Sequence, residues 1–139
     1  MKLATMTDCA IRMLLCLASE KRLIVSGEFS RKIGLDRKYL LSVGKQLKKA
    51  GLVHITLGPF GGYSLAKPPE DISLYDIAQA FDDNLQCSSL TGLTDKAVLM
   101  ADIFYGDIED TVTQAFKSTN LATMLARKNK NSMPRGSRR

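Results

Sequence analysis

The sequence predicts a mainly α-helical fold with one small β-hairpin: a winged helix-turn-helix followed by a long separate helix. Three observations carry that prediction. The stretch "VSGEFSRKIGLDRKYLLSVGKQLKKAGL" reads as helix, short turn, helix. Directly after it, two alternating runs, His54–Leu57 and Tyr63–Ala66, flank a tip of Gly58, Pro59, Phe60, Gly61 and Gly62. From Asp95 to Lys117, apolar residues return every three or four positions.

Residues 3–20 are apolar around much of a helical circumference, which predicts a central, buried first helix. In the next helix Ser26 is placed to cap the start, Phe29 and Ile33 share an inner face, and Gly34 ends it. Asp36 is placed to cap the following helix, whose Leu40, Val43, Leu47 and Ala50 form its inner face before Gly51 closes it. The other face carries Arg37, Lys38, Ser42, Lys45, Lys48 and Lys49, with Leu41 among them.

Taken alone, such a face is ordinary solvated surface. The hairpin behind it changes the reading, because two helices, a Gly-containing turn and a hairpin follow the order of a winged helix-turn-helix. In that arrangement the second helix enters the major groove of DNA and the hairpin flanks it. Glycines at 58, 61 and 62 remove side-chain bulk, so that backbone N–H groups could approach phosphates. A plain hairpin turn is the alternative. The tip lacks the strand–GxxxxGK–helix setting of a nucleotide-binding loop.

Pro68 and Pro69 stop the second strand. "SLYDIAQAF" then opens a helix, with Ser73 and Asp76 spaced as a capping-box pair. Residues 84–94 are polar and without period, a connecting loop. The predicted helix over 95–117, at 1.5 Å per residue, reaches about 30 Å. That length points to a self-complementary dimer contact through Val98, Ala101, Phe104, Tyr105, Ile108 and Val112. Gly106 weakens the helix by about 1 kcal/mol relative to Ala. The expected division is a winged helix-turn-helix over 1–83, a connecting loop and dimerisation helix over 84–126, and a basic disordered tail over 127–139. The tail's "PRGS" resembles the remnant of an expression-tag protease site.

The net charge of +6 hides a partition. Residues 1–67 hold 12 Lys or Arg against 4 Asp or Glu, whereas residues 68–126 hold 2 against 10. A basic half beside an acidic half fits an anion-binding module joined to a part with another job, and nucleic acid is the leading anion. No run approaches the ~20 apolar residues of a membrane span. Asp8 and Arg12 interrupt the early apolar stretch, so no secretory signal is expected. Three cysteines without a framework fit a reducing cytoplasm. No nucleophile–base pair or dinucleotide fingerprint is present, so no enzyme activity is expected, and His54 reads as an ordinary strand residue.

In "TDCAIRMLLCLA" (residues 7–18), "KYLLSVGKQLKKAGLV" (38–53), "GPFGGYSLAKPPEDISLYDIAQAF" (58–81) and "TNLATML" (119–125), the chain resembles the IscR/NsrR/CymR, or Rrf-two, family of winged-helix transcriptional regulators. The resemblance implies a homodimer that binds double-stranded, pseudo-palindromic operator DNA, usually as a repressor. The expected DNA-binding set is Ser26 in the first helix of the pair, Arg37, Lys38, Tyr39, Leu41, Ser42, Lys45 and Lys48 in the second, and Gly58, Gly61, Gly62 and Tyr63 in the wing. Many relatives carry an arginine before the wing glycine where this chain has Leu57, a glycine in place of Phe60, and an acidic residue in place of Leu41. A leucine there can meet a thymine methyl but cannot accept a hydrogen bond from a cytosine amino group.

Many relatives also sense iron–sulfur status, nitric oxide or redox change through a cluster on three grouped cysteines; others respond to thiol oxidation or to a regulatory protein. A cluster needs about four soft ligands in one place. Cys87 is the only cysteine where they belong, and although Asp8 matches a ligand position of the NsrR branch, the two make half a site. No cluster and no metal site are therefore expected. Cys9 and Cys16, seven residues apart on one helix, lie ~10 Å apart along its axis and cannot pair within it. Cys16 should be buried; Cys9, near basic residues, and Cys87, in an exposed loop, are the candidate regulatory thiols, with three inert thiols as the plain alternative. The reading is thus a cytoplasmic, cluster-free DNA-binding regulator, with a winged-helix module that docks a partner enzyme, or a cluster-dependent sensor, as alternatives.

Overall fold

The computed structural model describes residues 3–87 and 90–130, the side chains of 128–130 excepted. Helix α1 (Thr5–Glu20) runs through the middle of the molecule. Ala10, Met13, Leu14, Leu17 and Ala18 are all buried on it, which explains an apolar surface that extends around most of the helix. Around α1 stand α2 (Ser26–Ile33), α3 (Arg37–Lys49), the antiparallel hairpin β1 (Val53–Thr56) and β2 (Gly62–Leu65), and α4 (Leu74–Ala80) after a 3-10 turn over Pro69–Asp71. The winged helix-turn-helix is thereby present in the predicted order.

Several local signals work as read. Gly34 ends α2 at φ 78°, and Gly51 follows α3 at φ 77°, conformations that cost glycine little. At α4 the Ser73 hydroxyl accepts from the Asp76 backbone N–H (3.0 Å), and the Asp76 carboxylate accepts from the Ser73 N–H (3.1 Å). Other signals do not. The first helix begins at Thr5, and both strands sit one residue earlier than expected. Ser26 is the first residue inside α2 rather than its cap, and Asp36 stands at the cap position of α3 without a side-chain bond. Leu40, Val43 and Leu47 are buried as the spacing predicts, but Ala50 has left the helix and is exposed.

The wing is locked to the helix pair by one residue. Tyr63 pairs with Ile55 in the hairpin, and its backbone also exchanges two hydrogen bonds with Ile24 (2.8 and 2.9 Å), just before α2. Its ring is buried, 6.0 Å from that of Phe29. It lies so close to α3 that a Cβ on Gly44 would come within 2.4 Å of it. Gly44 lets α3 and the hairpin meet.

The largest departure from the sequence reading comes after the loop. Helix α5 (Lys96–Ser118) is one residue offset from prediction, capped by the Asp95 carboxylate accepting from Val98 N–H (3.1 Å). The chain then turns back. Leu74 N–H donates to Thr119 C=O (2.8 Å), Leu121 N–H donates to Ile72 C=O (3.0 Å), and a further helix, α6 (Leu121–Lys130), packs on α1. Leu121 is fully buried in the same core as Leu14 and Ile77. The expected boundary at 83/84 therefore does not separate two cores, and the expected disordered tail begins inside a helix; residues 131–139 lie outside the described residues. Asn120 is the missed signal: its side chain caps α6 by accepting from Thr123 N–H (2.8 Å).

Gly44→Ala is expected to destabilise the fold by about 1–3 kcal/mol through overpacking against Tyr63. Urea unfolding monitored by circular dichroism measures this, and an unchanged midpoint would show that the contact is not tight.

Candidate nucleic-acid interface

Helix α3 points Leu40, Val43, Gly44 and Leu47 into the core, which leaves Arg37, Lys38, Leu41, Ser42, Lys45, Lys48 and Lys49 exposed on the opposite side. Among the described residues, no ion pair forms on these cations. The contrast with the rest of the basic half is sharp. Asp8 pairs with Arg12 (2.8 Å), and Glu20 and Glu28 engage Arg22 and Lys32. Both glutamates are held below the usual carboxylate range, chiefly by hydrogen bonds from Lys32 and Arg22 to Glu20 and from Arg22 to Glu28. Three of the four acids in residues 1–67 are thereby spent on cations away from α3, and positive charge is concentrated on that helix.

A groove of about 340 Å³ runs between α3 and the wing. Arg37 and Leu41 line one side, with Leu57, Gly58 and Pro59 opposite, and no acidic side chain borders it. Arg37 is held in place: its Nε donates to the Ser26 hydroxyl at 2.9 Å. The wing tip projects beyond, with Leu57 89% and Phe60 91% exposed.

The sequence-predicted DNA-binding residues divide in two. Arg37, Lys38, Leu41, Ser42, Lys45, Lys48 and Gly58 share one open surface. Ser26 is buried and acts on that surface only by holding Arg37. Tyr39 turns against the core, with its hydroxyl buried and without a hydrogen-bond partner, and Tyr63 is part of the core itself. At Gly61 and Gly62 packing within the chain by itself requires glycine. A Cβ on Gly61 would meet Thr56 C=O at 2.0 Å, and one on Gly62 would meet Leu23 at 2.4 Å. Only Gly58, at φ 101° with open space around it, remains an exposed tip glycine.

The expected dimer helix is equally distinctive. No residue of α5 is buried, and among its large apolar side chains Met100, Ile103, Phe104 and Ile108 are more than half exposed. Val98 and Tyr105 are exposed beside them, whereas Ala101 and Val112 are half-buried. The sequence reading missed Leu99, Met100 and Ile103, which widen the apolar face beyond a single stripe. The loop before α5 is tied to it where Cys87 N–H donates to the Glu109 carboxylate (2.8 Å).

The thiols differ in environment. Cys9 is buried, and burial, followed by the Asp8 charge, pushes its pKa up to about 11; the expected low-pKa thiol is not there. Cys16 is half-buried rather than buried, and its pKa too is raised, chiefly by desolvation. Cys87 is exposed. Asp8 forms an exposed ion pair with Arg12 and Cys9 is buried; among the described residues no group of three His, Cys, Asp or Glu is placed to hold a metal. No helix among them is long and apolar enough to cross a membrane.

Comparison with known proteins bears on the family and the fold. The family model Rrf2, described as an iron-dependent transcriptional regulator, matches residues 3–127. Protein rrf2 of Nitratidesulfovibrio vulgaris is 37% identical over 86 residues, 60% of this chain and 57% of that protein. The HTH-type transcriptional regulator IscR of Cereibacter sphaeroides is 35% identical over 89 residues, 61% of this chain and 57% of its own length. The chain thus spans about half the length of the curated relatives it matches. Among solved structures, CymR, the global cysteine regulator of B. subtilis, superposes with a TM-score of 0.77 at 22% identity, covering 91% of this chain and 98% of its own. IscR of T. potens does so with 0.76 at 25%, covering 98% and 94%.

Thiol labelling should separate the cysteines. At neutral pH, Ellman's reagent is expected to modify Cys87 first, and Cys87→Ser to remove the fast phase. Cys9 should react only as pH climbs toward 11. Because folding raises this pKa, the contribution of Cys9 to stability is complete below the ordinary thiol range and is lost as pH approaches 11. Rapid labelling of Cys9 at neutral pH would contradict the buried placement.

Proposed function

The chain belongs to the Rrf2 family of transcriptional regulators, and we propose that it acts as a cytoplasmic homodimeric repressor that reads operator DNA with α3. The observation that carries this reading is the exposed face of Arg37, Lys38, Lys45 and Lys48, free of ion pairs among the described residues and bordered by a groove with no acidic side chain in its lining. These cations would neutralise phosphates and release counterions, while Leu41 and Ser42, on the same face, would meet base edges. Arg37, steadied by Ser26, would enter with its geometry already set.

The homodimer reading rests on α5. This helix of 23 residues packs within its own chain on α4, has no buried residue, and leaves a broad apolar face exposed. A second copy packed face to face would cover it and present two α3 helices to successive turns of a duplex. Regulation would be cluster-free, in keeping with the donor set, and would run through oxidation of the exposed Cys87 thiol or through a small signal. Because Cys87 is tied to Glu109 on α5, a change at that thiol would act beside the dimer helix.

Gel-shift titration with a duplex enriched from a randomised pool tests the DNA reading. With 6–10 phosphate contacts, affinity should fall about 10³–10⁵-fold between 50 and 200 mM salt, and Lys48→Ala should reduce the salt slope by about one while weakening all sequences alike. A flat salt response would refute it. Phe104→Asp, at an exposed position, should leave the fold intact by circular dichroism yet give a monomer in sedimentation equilibrium. A dimer that persists would place the interface elsewhere. The Cys87→Ser variant should also keep its DNA binding after peroxide treatment.

A further inference from the structure

The wing tip is built differently from the rest of the proposed interface. Its three side chains, Leu57, Pro59 and Phe60, hold no hydrogen-bond donor and no charge, yet Leu57 and Pro59 line the same groove as Arg37, with Phe60 next in the chain. Leu57 and Phe60 are the most exposed large apolar side chains among the described residues. A tip of this chemistry cannot read a base edge by hydrogen bonding.

The tip is also held firmly. Gly61 N–H donates to Gly58 C=O (3.0 Å), closing the turn, and Gly61 and Gly62 are packed so tightly against Thr56, Leu23 and Ile24 that neither position has room for a side chain. Tyr63 then anchors the strand on Ile24. Pro59 restricts the backbone at the apex itself. An aromatic ring presented on a braced turn loses little freedom on insertion.

Building on the DNA-binding reading above, we propose that Phe60, backed by Leu57, is a wedge that enters the minor groove and partly unstacks one base step on each outer flank of the operator. Three features favour a base step over a protein surface. The tip lies in the basic half of the chain, beside the unpaired cations of α3. Two side chains on a turn fall far short of the roughly 800 Å² per partner of a specific protein interface. Apolar wedges of this size suffice to open a single step and kink a duplex. The cost of unstacking is smallest at pyrimidine–purine steps, so the wedge would make the operator flanks prefer TA or CA/TG at a position that receives no hydrogen bond.

The test uses the full chain and a duplex enriched from a randomised pool, with 2-aminopurine placed in turn at the flanking steps. Wild type should raise the fluorescence of the probe severalfold at one flanking step on each side. Phe60→Ala should abolish that rise and lose about tenfold in preference for TA over GC flanks, with an unchanged salt slope. Phe60→Trp should restore both signals. If Phe60→Ala retains the fluorescence rise and the flank preference, the wedge is refuted and the tip faces something other than DNA. If wild type binds no duplex from the pool, the DNA-binding reading itself falls, and the wedge with it.

Discussion

The contact between Tyr63 and Gly44 is the constraint on which the rest of the molecule depends. Tyr63 belongs at once to the hairpin, to the bridge with Ile24 and to the ring pair with Phe29. The absence of a side chain at Gly44 lets that ring close on α3. One buried aromatic thereby fixes the wing relative to both helices of the pair. The groove beside Arg37 exists because that spacing is fixed, and the tip projects beyond it at a set reach. Close packing makes such a joint stiff, since a core near crystal density gives way only by discrete rearrangement.

Charge is distributed by the same logic. Net charge alone describes the first half of the chain as basic, but the structure distinguishes the cations by their surroundings. Arg22 and Lys32 form a cluster with Glu20 and Glu28 where α1 ends and α2 begins. Arg12 is occupied by Asp8. What remains is a helix whose cations form no ion pair among the described residues, with Asp36 at its start as the one acid of this half outside an ion pair. An anion approaching this surface meets α3 as its focus, and exposed pairs elsewhere contribute little either to that attraction or to stability.

Most of the fold was legible because it rests on local chemistry. Gly34 and Gly51 mark helix ends, Ser73 and Asp76 box a helix start, and the 3-4 spacing of Leu40, Val43 and Leu47 names the inner face of α3. The site was legible in part. Exposed cations follow from helical period, but Tyr39 and Tyr63 carry polar tips and could be assigned to either side; only tertiary packing decides, and it takes both inward. The same holds for the tip glycines, where Gly61 and Gly62 answer to Thr56 and Leu23, residues that no sequence spacing brings to them. Cys9 was misjudged for a related reason: nearby basic residues suggested an activated thiol, and burial outweighs them. Helix α6 was missed although Asn120 announces it, because the basic run after Leu125 reads as polar tail until Leu121 is seen to complete the core.

That last residue has a consequence for how the molecule is organised. Leu121 enters the body of the winged domain from the far end of α5, and the strand-like bridge between Ser73 and Asn120 stitches the same junction. The helix proposed to join two copies is therefore bracketed by segments of one folding unit, rather than hung from it as an appendage. A fragment ending at the loop would lack the lid over α1 and leave Ile72 and Ile77 wetted. The long helix and the winged body in this chain stand or unravel together.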